Sequence, residues 1–334
     1  MDAIPLIRAR YLQAFAAAAE QMGVHSSRLL NELGIPECVT EDSDTLHPAA
    51  QLFTFAALAA KLTGRADLGL EAGRTRLEDH GTFGAQVVES QTLHQALCSF
   101  CTEALKEYSR AYFWIEARGE TTWFCREKID GSTIERQQIE LYLVELMLQT
   151  IRMVAGPHWQ PQRLLLQSEN EHGLRDANTL SRLNIQFGSP ILAIPVPRRL
   201  LSQTLPRGFR VSEISVEDLQ SAEPEQPATD FVESLRQMLP LYLSTGHPHI
   251  ETAAEIAGIS VRTLQRRLES AGQSYSQVVD EVRMQGALPM LQDPCIPIAD
   301  IASAVGYSQP GHFTRAFRRW AGVSPSEYRS DLET

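Results

Sequence analysis

The residues of this chain with the most specific chemistry lie in two short segments near its C-terminal end. Arginine occurs there together with glutamine, histidine and threonine, which hydrogen-bond readily to bases or phosphates. Arginine matches the O6 and N7 atoms of guanine, glutamine matches adenine, and threonine suits a base edge, a thymine methyl group or a phosphate. The candidate residues are Arg262, Gln265 and Arg266 in the first segment and Gly311, His312, Thr314, Arg315 and Arg318 in the second.

The two segments are copies of one pattern: a short helix, a glycine turn and a second helix. Ala254, Gly258 and Ser260 each lie 48 residues before the same residue type in the second copy. Glycine permits a sharp turn, and a serine N-cap accepts a free backbone N–H of the second helix. Beyond each cap, two apolar residues at i, i+4 form a stripe opposite the candidate residues. In the second copy the matching residues are Ala302, Gly306 and Ser308. The stripe is Leu264 with Leu268 in the first copy and Phe313 with Phe317 in the second.

This spacing predicts two helix-turn-helix units, at about 250–271 and 298–321. Two ordinary amphipathic hairpins with solvated arginines would show part of the same pattern. The repetition of the glycine, cap, arginine and apolar positions favours DNA binding, because packing alone does not require the exposed face.

The C-terminal segments also resemble a known family. Ile298–Ala302, Gly306–Ser308 and His312–Arg329 are similar to the signature of the AraC/XylS transcription regulators, and Ser260–Leu268 is similar to the first helix-turn-helix of that family. The resemblance covers about the last 100 residues. It implies a cytoplasmic regulator with promoter DNA and RNA polymerase as partners, and a homodimer as its assembly. It also implies that the candidate residues face two successive major grooves.

Two features depart from the family pattern. The helix that joins the two units carries Gly286 and Pro289, and proline in a helix interior removes a hydrogen bond and kinks the chain. The sequence therefore leaves open the distance between the two recognition helices. The second departure is Pro310-Gly311 at the start of the second recognition helix, where neither side chain is a donor. Base reading there is expected to rest on Thr314 and Arg315, supported by His312.

The charge balance is unusual for a nucleic-acid-binding protein. The whole chain has a net charge of −11. Residues 230–334 contain nine Arg, no Lys and twelve Asp or Glu, which gives −3. A basic footprint is therefore missing overall, although six arginines lie on the two recognition helices. We expect weak non-specific binding, with affinity dependent on specific contacts, dimerisation or bent DNA.

The chain is long enough for two domains, each with its own core. We predict an α+β sensor domain at 1–211, an acidic, proline-bearing linker at 212–229, and an all-α domain with two helix-turn-helix units at 230–334. Upstream helices are predicted at 7–22, 26–33, 48–62, 92–108 and 133–155; a hairpin is predicted at 112–116 and 121–125, with further strands at 163–167 and 190–196. The apolar stripe of the helix at 133–155 suits either a dimer interface or the chain's own core.

The N-terminal part resembles the arabinose-binding-type domain of one branch of the same family. The similarity lies in His80–Gly84, Thr92–Leu97 and Leu183–Pro190, within about residues 5–210. It implies a small-molecule effector of unspecified chemistry. Aromatic and cationic side chains suit a small organic anion, although the same aromatics also suit a strand core. The candidate effector residues are Arg74, Arg76, His80, Trp114 and Trp123.

Other functions have weaker support in the sequence. Cys98 and Cys101 have CxxC spacing, but no second pair or histidine cluster lies near them, so a core contact is favoured over a zinc or redox site. Nucleophile, phosphate-loop, dinucleotide and HExxH motifs are absent, so the sequence predicts no catalytic residue, no metal and no cofactor. The alternatives are a ligand-independent regulator controlled by protein partners and an enzyme domain with a helical appendage.

Overall fold

The computed structural model describes residues 3–169, 183–205, 225–243 and 249–332. The chain divides into two compact units. The N-terminal unit comprises Ile7–Thr45 and Ala49–Pro227, and the C-terminal unit comprises Ala228–Thr334 together with Met1–Leu6 and Leu46–Pro48. The predicted linker at 212–229 lies mostly outside the described residues, so its boundaries stay a prediction.

The N-terminal unit combines helices with a mixed sheet, which confirms the predicted α+β class. Its helices are α1 Ala9–Gln21, α2 Ser26–Glu32, α3 Ala49–Thr63, α4 Leu68–Ala72, α5 Gly81–Val88, α6 Leu93–Glu107, α7 Thr133–Ala155 and α8 Arg198–Leu201. The strands of the chain are β1 Leu6–Arg8, β2 Leu46–Pro48, β3 Phe113–Arg118, β4 Thr121–Arg126, β5 Leu164–Leu165, β6 Ile185–Gln186 and β7 Leu192–Pro197. The main sheet has the order β3-β4-β7-β5-β6, and its described pairs are antiparallel except β5-β6.

Helix α7 is the centre of this unit and lies at its predicted bounds. Its start is fixed by Glu135, whose carboxylate accepts the Ser132 N–H at 2.7 Å. The helix packs against α3, α4 and α6. The stripe of Leu141, Val144 and Leu148 is 0–1% exposed within the single chain. The stripe therefore belongs to the chain's own core, and the dimer-interface alternative for it is wrong.

Helix α4 approaches α7 at a distance that only glycine allows. A Cβ atom on Gly69 would lie 2.1 Å from the Gln138 carbonyl oxygen. The Gly69 N–H instead donates to the Gln138 side-chain oxygen at 2.9 Å. The missing side chain thus lets the two backbones pack closely, and it leaves the Gly69 N–H within reach of the Gln138 side chain.

Several N-terminal predictions need correction. The helix predicted at 7–22 begins only at Ala9, because residues 6–8 form β1. The strand predicted at 163–167 has two paired residues, Leu164 and Leu165. Helix α5 was not predicted at all; its two glycines lower its intrinsic helix propensity, so it depends on tertiary packing.

All regular elements in the described residues of 228–332 are helices, as predicted. Their helices are α9 Phe231–Met238, α10 Pro240–Leu243, α11 Ile250–Ile256, α12 Val261–Ser270, α13 Tyr275–Gln292, α14 Ile298–Ala304, α15 Pro310–Ala321 and α16 Pro325–Leu332. Helix α9 is capped by Asp230, whose carboxylate accepts the Glu233 N–H at 2.9 Å. None of the helices in the described ranges is both long and apolar enough to cross a membrane.

The C-terminal unit has two separate apolar clusters that are joined by α13. The first cluster includes Leu264 and Leu268 of α12 with Val278 and Val282 of α13. The second cluster includes Phe313 and Phe317 of α15 with Ala287 and Leu291 of α13. Each helix-turn-helix unit therefore has its own core, and α13 belongs to both.

The joining helix is not interrupted, because α13 runs continuously from Tyr275 to Gln292 with Pro289 inside it. The exposed proline ring still removes the N–H that the Gln285 carbonyl would accept. Packing of the second half of α13 through Ala287 and Leu291, both 0% exposed, holds the helix together beyond this point.

The two helix-weakening residues of α13 give a stability test. Gly286→Ala is expected to raise the free energy of unfolding by roughly 0.5–1 kcal/mol, because glycine has more backbone freedom to lose. The new methyl group fits, since it would lie 3.6 Å from Val305 Cγ1. Pro289→Ala is expected to raise the free energy of unfolding by up to about 3 kcal/mol. Urea denaturation of the full-length chain, followed by far-ultraviolet circular dichroism, measures both changes.

Gly258→Ala is the matched control, because Gly258 has a φ of +68° with open space around it. This variant is expected to lose roughly 1 kcal/mol, since a side chain disfavours left-handed backbone. If Gly286→Ala and Gly258→Ala changed stability in the same direction, the helical assignment of Gly286 would be contradicted.

Candidate nucleic-acid interface

The two helix-turn-helix turns have the same backbone geometry. Gly258 and Gly306 have φ values of +68° and +82°. In the first unit the Ile259 N–H donates to the Ala254 carbonyl at 2.9 Å, and in the second the Tyr307 N–H donates to Ala302 at 2.8 Å. Each turn thereby satisfies a free carbonyl at the end of the first helix. The sequence repeat corresponds to a repeat in structure.

The starts of the two recognition helices differ. Ser260 caps α12 as predicted, and its hydroxyl accepts the Thr263 N–H at 3.2 Å. The prediction that Ser308 caps α15 is wrong, because the N-cap is Gln309 and Pro310 takes the first helical position. Proline has no N–H and a fixed φ, so it suits that position without a side-chain cap. The additional residue accounts for the change in sequence offset beyond the turn.

Helix α12 presents its candidate residues to solvent. Leu264 and Leu268 are 0% and 1% exposed. Arg262, Gln265 and Arg266 lie on the exposed side of the helix. Within the described part of the chain, no acidic group forms an ion pair with either arginine. The two guanidinium groups are therefore free to donate to an external acceptor.

Helix α15 repeats this arrangement with one difference. Gly311, His312, Arg315 and Arg318 are exposed, and Thr314 is half-buried. The Thr314 hydroxyl donates to the Pro310 carbonyl at 3.0 Å, which leaves its methyl group and its oxygen lone pairs for an external contact. Arg318 lies 3.8 Å from Glu327, whereas Arg315 has no ion-pair partner in the described ranges.

The remaining arginines of this unit hold the fold together. The Arg267 guanidinium lies 4.9 Å from the centre of the Phe231 ring. Arg319 forms an ion pair with Asp280 at 2.6 Å. The buried Arg283 lies 4.4 Å from the centre of the Tyr307 ring and donates to the Gly306 carbonyl at 3.3 Å, so it supports the second turn. Sequence reasoning missed this role, because Arg283 lies on α13, between the repeated segments.

The N-terminal unit contains an apolar cavity of about 50 Å³. Eight aromatic residues line it: Tyr11, Phe15, Phe53, Phe83, Phe100, Tyr108, Phe113 and Tyr142. Glu107 and Arg126 are its charged residues. The cavity thus combines an apolar wall with two opposite charges.

The structure does not bring the five candidate effector residues together, and none of them lines this cavity. Arg74 and Arg76 are exposed and pair with neighbouring carboxylates, Glu71 at 2.6 Å and Glu78 at 3.2 Å. Trp114 lines an open groove beside α6, and Trp123 lies 5.9 Å below the Arg118 guanidinium.

His80 is a buried structural residue of the N-terminal unit. Its Nε2 lies 2.7 Å from the Tyr142 hydroxyl, and its Nδ1 lies 2.9 Å from the Arg76 carbonyl oxygen. Burial lowers the pKa of His80 to about 4. The imidazole is therefore neutral near pH 7 and both of its nitrogens are engaged.

The CxxC cysteines are placed differently from each other. Cys98 is exposed and its sulfur lies 3.9 Å from His94 Nδ1, whereas Cys101 is half-buried. Burial raises the pKa of the Cys101 thiol to about 12, so this group is a thiol at neutral pH. The described residues contain no group of three or more potential metal ligands.

The unequal caps predict unequal effects of one substitution. Ser260→Ala is expected to lower the free energy of unfolding by about 1 kcal/mol, because the Thr263 N–H loses its acceptor. Ser308→Ala is expected to change it by less than about 0.5 kcal/mol, as for a surface position without a cap. Urea denaturation of both full-length variants measures the difference; equal losses would contradict the assignment of Gln309 as the second cap.

The buried His80 predicts a pH dependence of stability. Its pKa is about 4 in the folded chain, against about 6.5 when unfolded. Between these values the unfolded state binds more protons, so stability present above about pH 6.5 is lost as the pH falls. The slope from this group is about 1.4 kcal/mol per pH unit.

Urea denaturation from pH 7 to pH 5 measures this slope. His80→Gln removes one of two buried histidines whose pKa is lowered to about 4, and is expected to reduce the slope by about half, since His47 keeps its own contribution. His94→Gln, which replaces an exposed histidine of the same unit, should leave it as in the unsubstituted chain. Parallel curves for His80→Gln and the unsubstituted chain would contradict the prediction.

Two family models match the chain. The arabinose-binding domain of AraC transcription regulators matches residues 23–205, and a helix-turn-helix domain matches residues 253–331. The regulator VqsM of Pseudomonas aeruginosa is 37% identical over 101 residues, which are 29% of this chain and 31% of that protein. The ornithine utilization regulator of the same species is 43% identical over 82 residues, 25% of this chain and 24% of that protein. The chain thus spans less than a third of the length of these two relatives.

Other similarities extend over most of the chain. The HTH-type transcriptional regulator Rv1395 of Mycobacterium tuberculosis is 25% identical over 329 residues, which are 93% of this chain and 92% of that protein. The crystal structure of the transcriptional regulator CdpR from Pseudomonas aeruginosa is 20% identical with a TM-score of 0.40, and the match covers 91% of this chain and 96% of that one. The arabinose-binding domain model alone matches more than half of the residues. The chain belongs to the AraC family of transcription regulators, in the branch whose N-terminal domain is of the arabinose-binding type.

Proposed function

We propose that this protein binds promoter DNA sequence-specifically through α12 and α15 and regulates transcription in response to a small molecule bound by the N-terminal unit. The DNA assignment rests on the difference between arginines that contact the protein's own fold and arginines that are exposed. Arg262, Arg266 and Arg315 are exposed without an ion-pair partner in the described residues. They lie opposite the buried stripes of two helices that follow matching turns.

The two recognition helices read bases in successive major grooves, about 34 Å apart along the DNA. Arg262, Gln265 and Arg266 read the first site. At the second site Arg315 makes the main base contact, and Thr314 and His312 lie beside it. Because residues 230–334 have a net charge of −3 by sequence, the affinity rests on these specific contacts more than on a general positive field.

The proposal places the protein in the cytoplasm, as a homodimer that contacts RNA polymerase. The small-molecule effector is supported by the match of residues 23–205 to the arabinose-binding domain model. The apolar cavity of the N-terminal unit, with its aromatic wall and two charged residues, is the proposed site. A regulator controlled only by protein partners is the alternative. Unaltered DNA affinity across a panel of metabolites would favour that alternative.

Selection of bound fragments from genomic DNA by the full-length protein, at a stated salt concentration, tests the DNA assignment. Recovery of two half-motifs about one helical turn apart is expected. Fragments without a shared motif would contradict sequence-specific reading by two helices. The genes beside the recovered sites would indicate the class of effector.

Arg266→Ala and Arg315→Ala are each expected to weaken binding to the selected site by roughly 1–3 kcal/mol, because each removes contacts to a base edge. Their affinity for unrelated DNA should change much less. Fluorescence anisotropy with the selected site and a scrambled duplex measures both affinities.

Arg28→Ala is the matched control, because it removes the same charge from an exposed position of the N-terminal unit. It should bind the selected site as the unsubstituted protein does. Normal site affinity for Arg266→Ala and Arg315→Ala, with unchanged circular dichroism, would overturn the assignment of the reading residues.

A further inference from the structure

The two charged residues of the N-terminal cavity are not equivalent. Glu107 is 2% exposed and Arg126 is 3% exposed, and both line the same apolar space. A buried charge is tolerated when it is paired and hydrogen-bonded, and it is destabilising by several kcal/mol when it is not. The partners of each residue therefore decide what the cavity can bind.

Glu107 already has two cationic partners. Its Oε1 accepts a hydrogen bond from Arg8 Nε at 3.1 Å, and its Oε2 forms an ion pair with Arg10 Nε at 3.2 Å that lacks hydrogen-bond geometry. Arg8 also donates to the Asp44 carbonyl at 2.8 Å. Although burial raises the pKa of Glu107, the two guanidinium groups favour its charged form. An additional cation at this carboxylate would meet two positive charges.

Arg126 has no such compensation. Its Nη1 donates to the Glu127 carbonyl at 3.1 Å, and its Nε has no hydrogen-bond acceptor among the described residues. The guanidinium lies 5.2 Å from the centre of the Phe113 ring. Across the described ranges no carboxylate forms an ion pair with Arg126, and burial lowers its pKa. The cavity thus contains a desolvated cation with at least one unused N–H donor.

We propose that the cavity binds a short-chain monocarboxylate whose carboxylate pairs with Arg126 and whose hydrocarbon tail lies among the aromatic side chains. A carboxylate supplies both the negative charge and the acceptor that Arg126 lacks. The apolar wall excludes a second charged group, and the two arginines at Glu107 exclude an ammonium group. The cavity volume of about 50 Å³ is smaller than butyrate, so the lining side chains must move apart on binding, and a short tail requires the smallest movement. This inference rests on the proposed function in one respect, the presence of an effector site in the N-terminal unit.

Isothermal titration calorimetry of the full-length protein with sodium butyrate tests the proposal. We expect saturable binding of butyrate and at least tenfold weaker binding of butyramide, which has the same shape without the charge. Acetate, propionate and hexanoate then define the accepted tail length. Equal binding of butyrate and butyramide, or no binding of any of these carboxylates, would overturn the proposal.

Arg126→Met separates a ligand-binding role from a structural one. Without ligand, this variant should melt at or above the temperature of the unsubstituted protein, because it removes an unpaired buried charge. Its butyrate affinity should fall at least tenfold. Arg118→Met is the control, since Arg118 is an exposed arginine of β3 that pairs with Glu116 at 2.8 Å; its butyrate affinity should not change. Normal butyrate binding by Arg126→Met would overturn the assignment.

Arg126→Lys keeps the charge but lacks the planar group, and it guards against misfolding of the methionine variant. Its butyrate affinity should lie between those of Arg126→Met and the unsubstituted protein. Affinity equal to that of the unsubstituted protein would show that the unused Nε–H donor of Arg126 does not contribute, and would overturn its role in binding the carboxylate.

The DNA selection described above distinguishes failure of this site from failure of the proposed function. A protein that selects a DNA motif but binds none of the carboxylates retains the regulatory assignment and loses this site. A protein that binds butyrate through Arg126 but selects no motif retains the site and loses the regulatory assignment.

Discussion

The burial of one apolar pair on each recognition helix is the interaction on which the candidate DNA interface depends. Leu264 with Leu268, and Phe313 with Phe317, lie one helical turn apart and are 0–1% exposed. Because side chains occupy fixed angular positions around a helix, burial of such a pair determines which positions face solvent. The exposure of Arg266 and Arg315 follows from that packing. Loss of the apolar contacts would rotate or release the helix, and the arginines would lose their common direction.

The same principle explains why α13 tolerates two residues that weaken helices. Its first half packs into the cluster of the first helix-turn-helix, and its second half packs into that of the second. Gly286 and Pro289 lie on its exposed side, where they cost backbone hydrogen bonding and entropy but no core contact. Tertiary packing therefore outweighs local propensity in this helix. A sequence rule about proline cannot measure the packing that opposes it.

Much of the C-terminal unit could be predicted from the sequence because its signals are local. The glycine turns, the Ser260 cap and the i, i+4 stripes act within a few residues, and each has its expected structural role. The second cap was predicted wrongly because Pro310 provides a different way to begin a helix. The roles of Arg267 and Arg283 could not be predicted, since each depends on an aromatic ring from a distant part of the chain. Local pattern thus identifies a helix, whereas long-range contacts decide which of its arginines remain free.

In the N-terminal unit, long-range contacts decide nearly everything about the candidate site. Arg74 and Arg76 looked suitable for an anion, but adjacent carboxylates neutralise them at the surface. Arg126 ends a strand without any distinctive motif, and only the fold shows that it is buried and that its Nε has no acceptor in the part of the chain that the structure describes. Comparison with Glu107, which is equally buried yet paired with two arginines, shows that burial alone does not define a binding residue. The distinguishing property is an uncompensated charge, because such a charge gains more from a ligand than one whose partner is supplied by the fold.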